Sequence, residues 1–566
     1  MSNQVDSARE TELPTENEVE QLAVRRAGRF GVYRVAKVED GKFWLMGGMF
    51  FCIAYIYSVI RELKDSFIIK RQLPASISFL KLFYVPPVSI AASALVQKCL
   101  TISSNKRIMS YVIAFFGAYF LLYGVVILPL QDKIEPSNFN ATDDFSDSKM
   151  AYKGLESVSA IVLTLNCWTS TLHFVASEVW GTMVLSLLFM SFSNDVCPFR
   201  QFIRFMPLFY VLSNIALIGS SLTMLSYQYY NQIVTYYVKQ MMLRIAFVII
   251  AVFCLATLVF QIILEKNVLG KVLYTIEGEG QKRSKKAKPS FSEGIRLMFK
   301  SKLVLAICGI VLAYNIGTNM VESCYKSSLK IVSMANKKDT GNHVLLKSSI
   351  IQFITGSVVI GLLVSPFSRI IQSRGWKIVG MIPPLVATVG FVSVFMLALF
   401  NTGRDGQNIP PVNAMLKSDI SEKNRLWFLS FEETACVLAV SFFKICKYAA
   451  FDIAKETLSM KIDKRYRARF KGIYDGVCGK LGKAGGALLL LASNYIINTT
   501  DIRRASFFYL IISLIIVLVW FYLVSYLAGK YEESVKLKKN INIDLFKGTK
   551  KMFSDDEDEP ITATGS

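Results

Sequence analysis

Twelve runs of roughly 20 apolar residues, joined by polar connections, constrain this chain more than any motif does, because each run is long enough to cross the hydrocarbon core of a bilayer as a helix. They lie at about 43–62, 76–97, 108–130, 166–193, 203–226, 241–264, 303–323, 345–366, 377–400, 426–448, 472–495 and 505–528. A chain of 566 residues that is 53% hydrophobic, with 40 Phe and 25 Tyr, is not a soluble globular protein. The expected fold class is an all-α membrane protein with twelve transmembrane helices. Residues 1–40 are polar and charged, with no short apolar core and cleavage site, so the first membrane helix is expected to direct insertion itself.

Charge in the connections predicts the sidedness. Those after the second, fourth, sixth, eighth and tenth segments carry Lys98, Lys106 and Arg107; Arg200 and Arg204; Lys282 to Lys288; Arg369, Arg374 and Lys377; and Lys461 to Lys471. The positive-inside rule places them, and both termini, in the cytosol. The opposite side carries Asp132, Glu135, Asp143, Asp144 and Asp147, together with both glycosylation sequons, at Asn140 and Asn498.

The polar stretch 265–302 divides the apolar segments into two sets of six, the layout of carriers built from parallel repeats about an axis along the membrane normal. The expected organisation is a cytosolic arm at 1–42, a six-helix half at 43–264, a basic cytosolic linker at 265–302, a second six-helix half at 303–528 and a charged cytosolic tail at 529–566. A faint internal echo agrees. Ala54-Tyr55 precedes Lys64-Asp-Ser66 as Ala313-Tyr314 precedes Lys326-Ser-Ser328, and the block beginning at Glu178 can be laid on the one beginning at Glu432.

Ionisable residues inside apolar segments are the main pointer to function. A charge near the bilayer centre costs at least about 2.5–3.5 kcal/mol on insertion scales, so it faces a partner or a watery cavity. Lys81 follows Ile-Ser-Phe-Leu within the second segment and Glu178 lies near the middle of the fourth; Glu322, Lys447 and Lys483 are similarly placed. Lys98, Lys266, Lys302 and Lys530 stand at segment ends, where snorkelling to anionic lipid headgroups accounts for them.

Lysines outnumber acids on the inward-looking segments: Lys64, Lys70 and Lys81 in the first half, and Lys326, Lys330, Lys444, Lys447, Lys455, Lys480 and Lys483 in the second. That excess suits a polyanion such as a phosphorylated substrate. The run Gly476-Val-Cys-Gly479-Lys-Leu-Gly482-Lys-Ala-Gly-Gly486 offers backbone amides for phosphate, or small residues for close helix packing. It is not a P-loop, which needs Gly where Val477 stands and Ser or Thr where Ala484 stands. ATP hydrolysis is not expected.

Ten cysteines show no CxxC or CxxH spacing, and several, including Cys52, Cys167, Cys254, Cys308, Cys436 and Cys478, lie in apolar runs; free buried thiols are expected. The two histidines, His173 and His343, lack metal-ligand companions in the sequence, so no metal or other cofactor is anticipated. The basic runs are juxtamembrane and carry no base-reading module, which favours anionic lipid over nucleic acid as their partner.

Several blocks together resemble the ATP/ADP translocase (nucleotide transporter) family of plastids and obligate intracellular parasites, of the microsporidian-like type: Arg61-Glu-Leu-Lys-Asp-Ser66, Ile77-Ser-Phe-Leu-Lys-Leu-Phe83, Ser177-Glu-Val-Trp-Gly-Thr-Met183, Tyr325-Lys-Ser-Ser-Leu-Lys330, Lys447-Tyr-Ala-Ala-Phe-Asp-Ile-Ala-Lys-Glu456 and Leu481-Gly-Lys-Ala-Gly-Gly486. The resemblance runs from about residue 43 to 528. It implies a major-facilitator-like fold and a carrier that exchanges ATP for ADP through a central cavity. The family's functionally sensitive charges fall here on Lys81, Glu178, Glu322 and Lys455. The family's F-D-P-x-K-E reads Phe451-Asp-Ile-Ala-Lys-Glu456 and its W-K-S reads Tyr325-Lys-Ser327, departures that leave substrate preference open, GTP and GDP included.

On this reading Lys81, Lys326, Lys447, Lys455 and Lys483 bind the phosphates, with the glycine backbone near Lys483. Trp180, Phe83, Tyr84 or Tyr448 stack on the base, and Glu178 and Glu322 pair with the lysines in the empty carrier and gate it. Two alternatives stay open: a carrier of another phosphorylated anion, such as a sugar phosphate or phosphate itself, and a proton-coupled net importer of nucleotides. The acid-rich N-terminus, with Asp6, Glu10, Glu12, Glu16, Glu18 and Glu20, does not read as a transit peptide. A monomer in the plasma membrane of an intracellular parasite is therefore expected. The tail Ser554-Asp-Asp-Glu-Asp-Glu559 reads as solvated.

Overall fold

The computed structural model describes residues 16–26, 33–136, 156–233, 235–269, 301–365, 375–416, 421–462, 474, 478–499, 501–537 and 541. Among them every regular element is a helix. Eleven are long and apolar enough to span a bilayer: α1 Lys37–Arg71, α2 Pro74–Val96, α3 Asn105–Ile134, α4 Trp168–Ser193, α5 Arg204–Tyr230, α6 Tyr237–Val268, α7 Lys302–Ala335, α8 Thr340–Leu363, α9 Trp376–Arg404, α10 Asn424–Ser459 and, last in the chain, α12 Ile502–Leu537. The remaining expected segment is α11, Gly479–Ile497, which the sequence makes shorter, glycine-rich and lysine-bearing. The chain is thus a multi-pass membrane protein. Asn140, the acidic residues 143–147, most of the 265–302 linker and the basic run 463–471 lie outside the described residues.

Local signals explain several helix ends. Pro74 occupies the first turn of α2, where its missing amide costs nothing. The Ser301 hydroxyl accepts the Val304 amide at 3.3 Å to cap α7, and the Asp339 carboxylate accepts the Asn342 amide at 2.9 Å to cap α8. At the other end of α11, Asn498 adopts φ 49°, the left-handed cap that Asn tolerates, and is exposed.

Four helices run well past their apolar segments. α1 reaches Arg71 rather than stopping near residue 62, α7 reaches Ala335 rather than 323, α10 reaches Ser459 rather than 448, and α12 reaches Leu537 rather than 528. The charged residues read as connections are therefore helical turns. At 1.5 Å per residue, the 35 residues of α1 span about 50 Å, well beyond a hydrocarbon core of about 30 Å.

Two aromatic-rich cores form on either side of the seam. One gathers Phe50, Trp180, Phe189, Phe209 and Phe247 from α1, α4, α5 and α6, with Phe50 and Phe189 centroids 4.7 Å apart. The other gathers Phe391, Phe395, Phe443 and Trp520 from α9, α10 and α12. Between them α8 packs against α5 and α1, and the start of α2 packs against α7 and α11. This seam positions the site.

All ten cysteines but Cys99 are buried, as expected of thiols acting as small apolar side chains.

Candidate functional site

A cavity of about 250 Å³ lies in the seam, lined from α1, α2, α4, α7, α8, α10 and α11. Two local irregularities shape it. In α2 the Val85 amide bonds the Leu80 carbonyl, a π-helical turn immediately before Pro86 and Pro87, which have no amides to give. In α10 a second π-helical turn spans Lys447–Phe451. Each turn carries a cavity lysine, Lys81 in the first and Lys447 in the second. In α4, Gly181 admits the Tyr57 ring: a Cβ there would sit 2.5 Å from Tyr57 Cε2.

The lining carries seven basic side chains, Arg61, Lys64, Lys81, Lys326, Lys444, Lys447 and Lys483, against four acidic ones, Glu62, Asp65, Glu178 and Glu322. Their pairing sorts them. Lys64 Nζ lies 2.8 Å from Glu178 and 3.2 Å from Asp65, and also sits over the Phe174 ring at 4.0 Å. Lys326 Nζ lies 2.8 Å from Asp65 Oδ2. Glu322 is held loosely, 3.8 Å from Arg61 and 3.9 Å from Lys81, while Lys81 donates to Asn319 Oδ1 at 2.9 Å. Lys444, Lys447 and Lys483 have no carboxylate partner among the described residues. The site therefore combines paired charges along α1 with a set of uncommitted ammonium groups on α10 and α11, an arrangement that can receive a compact polyanion.

Above the cavity, toward the C-terminal ends of α1 and α7, polar contacts join the two sides of the seam. Lys70 Nζ meets Asp339 at 2.8 Å, the Ser66 hydroxyl donates to the Gly341 carbonyl at 2.7 Å, and Lys330 donates to the Gln72 carbonyl at 2.7 Å. The ion pairs across the seam among the described residues run from Arg61–Glu322 and Lys81–Glu322 at the cavity to Lys70–Asp339 near the C-terminal ends of α1 and α7. Burial works against the charge of Asp339, but Lys70 and the Asn342 amide outweigh it and hold its carboxyl below the usual range.

Of the sequence-predicted phosphate ligands, Lys81, Lys326, Lys447 and Lys483 line the cavity. Lys455 does not: it sits two turns farther along α10, 3.3 Å from Asp452 and near the Phe451 and Tyr474 rings. Glu178 and Glu322 both line the cavity, but Glu178 pairs with Lys64 rather than with a predicted ligand.

Three of the four stacking candidates lie elsewhere. Trp180 is fully buried between Phe116 and Phe120, with centroids at 5.3 and 5.8 Å. Phe83 and Tyr84 pack on Phe79 outside the lining. Tyr448 does face the cavity, and so does Tyr57. From Gly479 onward the glycine run is helical, and Gly482 lets α11 approach α7: a Cβ there would lie 2.7 Å from Asn315 Cβ. Close packing is what Gly482 and Gly486 serve.

Sequence reading passed over Arg61, Glu62, Asp65 and Tyr57 as site residues. Arg61, Glu62 and Asp65 sit in a quoted block, Arg61–Ser66, but the apolar window ended at 62, so they read as a helix boundary. Lys444 was one lysine among many until its lack of a partner set it apart.

A family model described as "TLC ATP/ADP transporter" matches residues 23–531. The chain belongs to this family. Its similarity extends over nearly whole chains: it is 38% identical to "ADP,ATP carrier protein 1" of Paranosema grylli over 94% of this chain and 96% of the relative. It is 35% identical to "ADP,ATP carrier protein 1" of Encephalitozoon cuniculi over 97% of each. A bacterial member, "ADP,ATP carrier protein 1" of Rickettsia typhi, is 27% identical over 90% of this chain and 97% of its own. Among solved structures, a D-xylose–proton symporter aligns at 12% identity with a TM-score of 0.44, covering 84% of this chain and 96% of that one. Within this ATP/ADP transporter family, three of the four charges to which the resemblance assigns functional sensitivity, Lys81, Glu178 and Glu322, share the cavity, and Lys455 stands apart.

Proposed function

We propose that this carrier moves ATP across a membrane in exchange for ADP by alternating access, with the seam cavity as the substrate site. The observation that carries the reading is the cavity's charge: seven cations face four anions, and Lys444, Lys447 and Lys483 are uncommitted. Family membership and the ADP,ATP carrier relatives support nucleotide as the polyanion. Lys447, Lys483 and Lys444 hold the phosphates, with Arg61 and Lys81 released from their long contacts to Glu322 when substrate enters. Of the five aromatic side chains in the lining, Tyr314, Tyr325 and Phe443 are buried, which leaves Tyr448 and Tyr57 to meet the base.

The contacts from Asp65–Lys326 to Lys70–Asp339 close one face of the carrier, and the halves rock about the site to open it. With the basic even-numbered connections in the cytosol, this closed face is the exterior one. A plasma-membrane carrier so oriented brings host ATP into a parasite and returns ADP.

The test is uptake of labelled ATP by proteoliposomes preloaded with ADP, compared with empty ones, and with unlabelled GTP and sugar phosphates as competitors. Uptake that depends on internal ADP and is blocked by ADP supports exchange. Uptake blocked equally by sugar phosphates defeats the nucleotide assignment.

A further inference from the structure

Glu62 stands apart among the four cavity acids. Asp65, Glu178 and Glu322 each have a cation within salt-bridge distance, whereas Glu62 has none among the described residues. It is 1% exposed, and its Oε1 has no hydrogen-bond partner. An isolated ionised carboxylate is among the most costly groups to bury, and such groups ordinarily take up a proton instead.

The contacts of Glu62 carry a second sign. Its Oε2 lies 2.6 Å from the hydroxyl of Ser349, on α8 across the seam, and that same hydroxyl lies 2.8 Å from the Leu345 carbonyl. A serine hydroxyl has one proton and can donate to one acceptor at a time. With Glu62 ionised, the hydroxyl serves the carboxylate and the Leu345 carbonyl keeps the Ser349 amide of its own helix. With Glu62 protonated, both contacts are satisfied: the carboxyl O–H donates to Ser349 Oγ, and Ser349 donates to Leu345. The site is therefore built to hold either state.

The charged groups around it come from few directions. Lys444 of α10 and Arg61 of α1 line the same cavity as Glu62. Lys444 is the cation that matters here, because it has no carboxylate partner of its own among the described residues and also lines the cavity.

We infer that Glu62 is a proton site that balances the two nucleotides, protonated while the cavity holds ATP and ionised while it holds ADP. This rests on the exchange reading above. Fully ionised ATP carries one more negative charge than ADP, while the cavity's cations are the same for both. With ATP bound, the third phosphate engages Lys444, Glu62 loses its compensating charge, and it takes a proton from water on the loading side. With ADP bound, Lys444 compensates an ionised Glu62. One proton then crosses with each ATP, is released to water when ATP leaves, and does not return with ADP, so the exchange is electroneutral.

Proteoliposomes carrying the wild-type protein, loaded with ADP and a trapped pH-sensitive dye, are given labelled ATP at an alkaline pH where both nucleotides are fully ionised. The expected result is acidification of the lumen by one proton per ATP taken up, at a rate unmoved by a potassium diffusion potential. In Glu62→Gln, whose amide mimics the protonated carboxyl, acidification per ATP is lost and uptake becomes sensitive to the potential; labelled ATP/ATP exchange in the same vesicles reports that the variant is inserted. Should Glu62→Gln fail to exchange, Glu62→Asp replaces it, with the proton ratio expected to stay at one. Labelled ATP entering the wild type without acidification overturns the proton site. Acidification in Glu62→Gln equal to wild type overturns its assignment to Glu62. Absence of any labelled ATP uptake in the wild type overturns the exchange reading instead.

Discussion

Lys326 on α7 reaches across the seam to place its Nζ 2.8 Å from Oδ2 of Asp65 on α1. The partners come from blocks that echo each other in the two halves, Lys64-Asp-Ser66 and Lys326-Ser-Ser328. Both side chains are largely buried, 15% exposed for Asp65 and 8% for Lys326. Asp65 also takes Lys64, which in turn holds Glu178, so one acid links three other cavity charges.

Removing one partner of a buried ion pair leaves the other uncompensated, a loss of about 3–5 kcal/mol. Asp65→Asn should therefore open this face and reduce exchange at least tenfold, while the reversed pair Asp65→Lys with Lys326→Asp restores part of it. Spin-label distances across the α1–α8 seam, together with exchange rates, check this. Unchanged distances in Asp65→Asn would show that the pair is not a latch.

Substrate affinity should depend on the uncommitted lysines. A hydrogen bond to a charged group contributes about 1.5–3 kcal/mol, so Lys447→Ala or Lys483→Ala should raise the KM for ATP roughly ten- to a hundredfold. Lys455→Ala, outside the cavity, should leave KM within about threefold. Equal effects at 455 and 447 would place the phosphates elsewhere.

The base is expected to sit against Tyr448. Loss of a stacked ring costs about 1–3 kcal/mol, so Tyr448→Ala should weaken nucleotide binding while Tyr448→Phe preserves it. Phe83→Ala, away from the lining, serves as the control. A larger effect at Phe83 than at Tyr448 would reverse the assignment.

Close packing of α11 on α7 should not tolerate a methyl group. Gly482→Ala puts a Cβ 2.7 Å from that of Asn315, and overpacking of this kind costs about 1–3 kcal/mol. The expected outcome is a lower melting temperature in detergent, with Gly479→Ala, where no atom lies within 4 Å, as the neutral comparison.

Acid should loosen the Lys70–Asp339 end of the seam. Lys70 and the Asn342 amide hold Asp339 below the usual carboxylate range against the opposing effect of burial, so its contribution to closure is present above the ordinary aspartate pKa and is lost as pH falls through the lowered one. Lys70 and Asp339 are half-exposed, which keeps the effect small. Distances across the α1–α8 seam should stay constant from neutral pH down to about 4 and lengthen below it, and Asp339→Asn should abolish that dependence.

Much of the site was legible because lipid makes charge conspicuous. Lys81, Glu178, Glu322, Lys447 and Lys483 each interrupt an apolar run, and each lines the cavity. The apolar window failed where helices outran it. In α1 the turns from Arg61 to Arg71 read as a connection, because hydropathy cannot see that Asp65, Lys64 and Arg61 are matched by charges on other helices. Trp180 misled for a related reason. Its position two residues from Glu178 in the sequence suggested the same cavity, but residues two apart on a helix point about 200° apart, and Trp180 turns into the aromatic core.

The sequence alone determined the class of the molecule, the helices and the residues too charged to face lipid, since each follows from transfer of local segments between water and hydrocarbon. Only the tertiary structure decided which charges cancel. Pairing is a matter of ångströms between helices far apart in the chain, and it leaves Lys444, Lys447 and Lys483 uncommitted and Glu62 without a counter-charge.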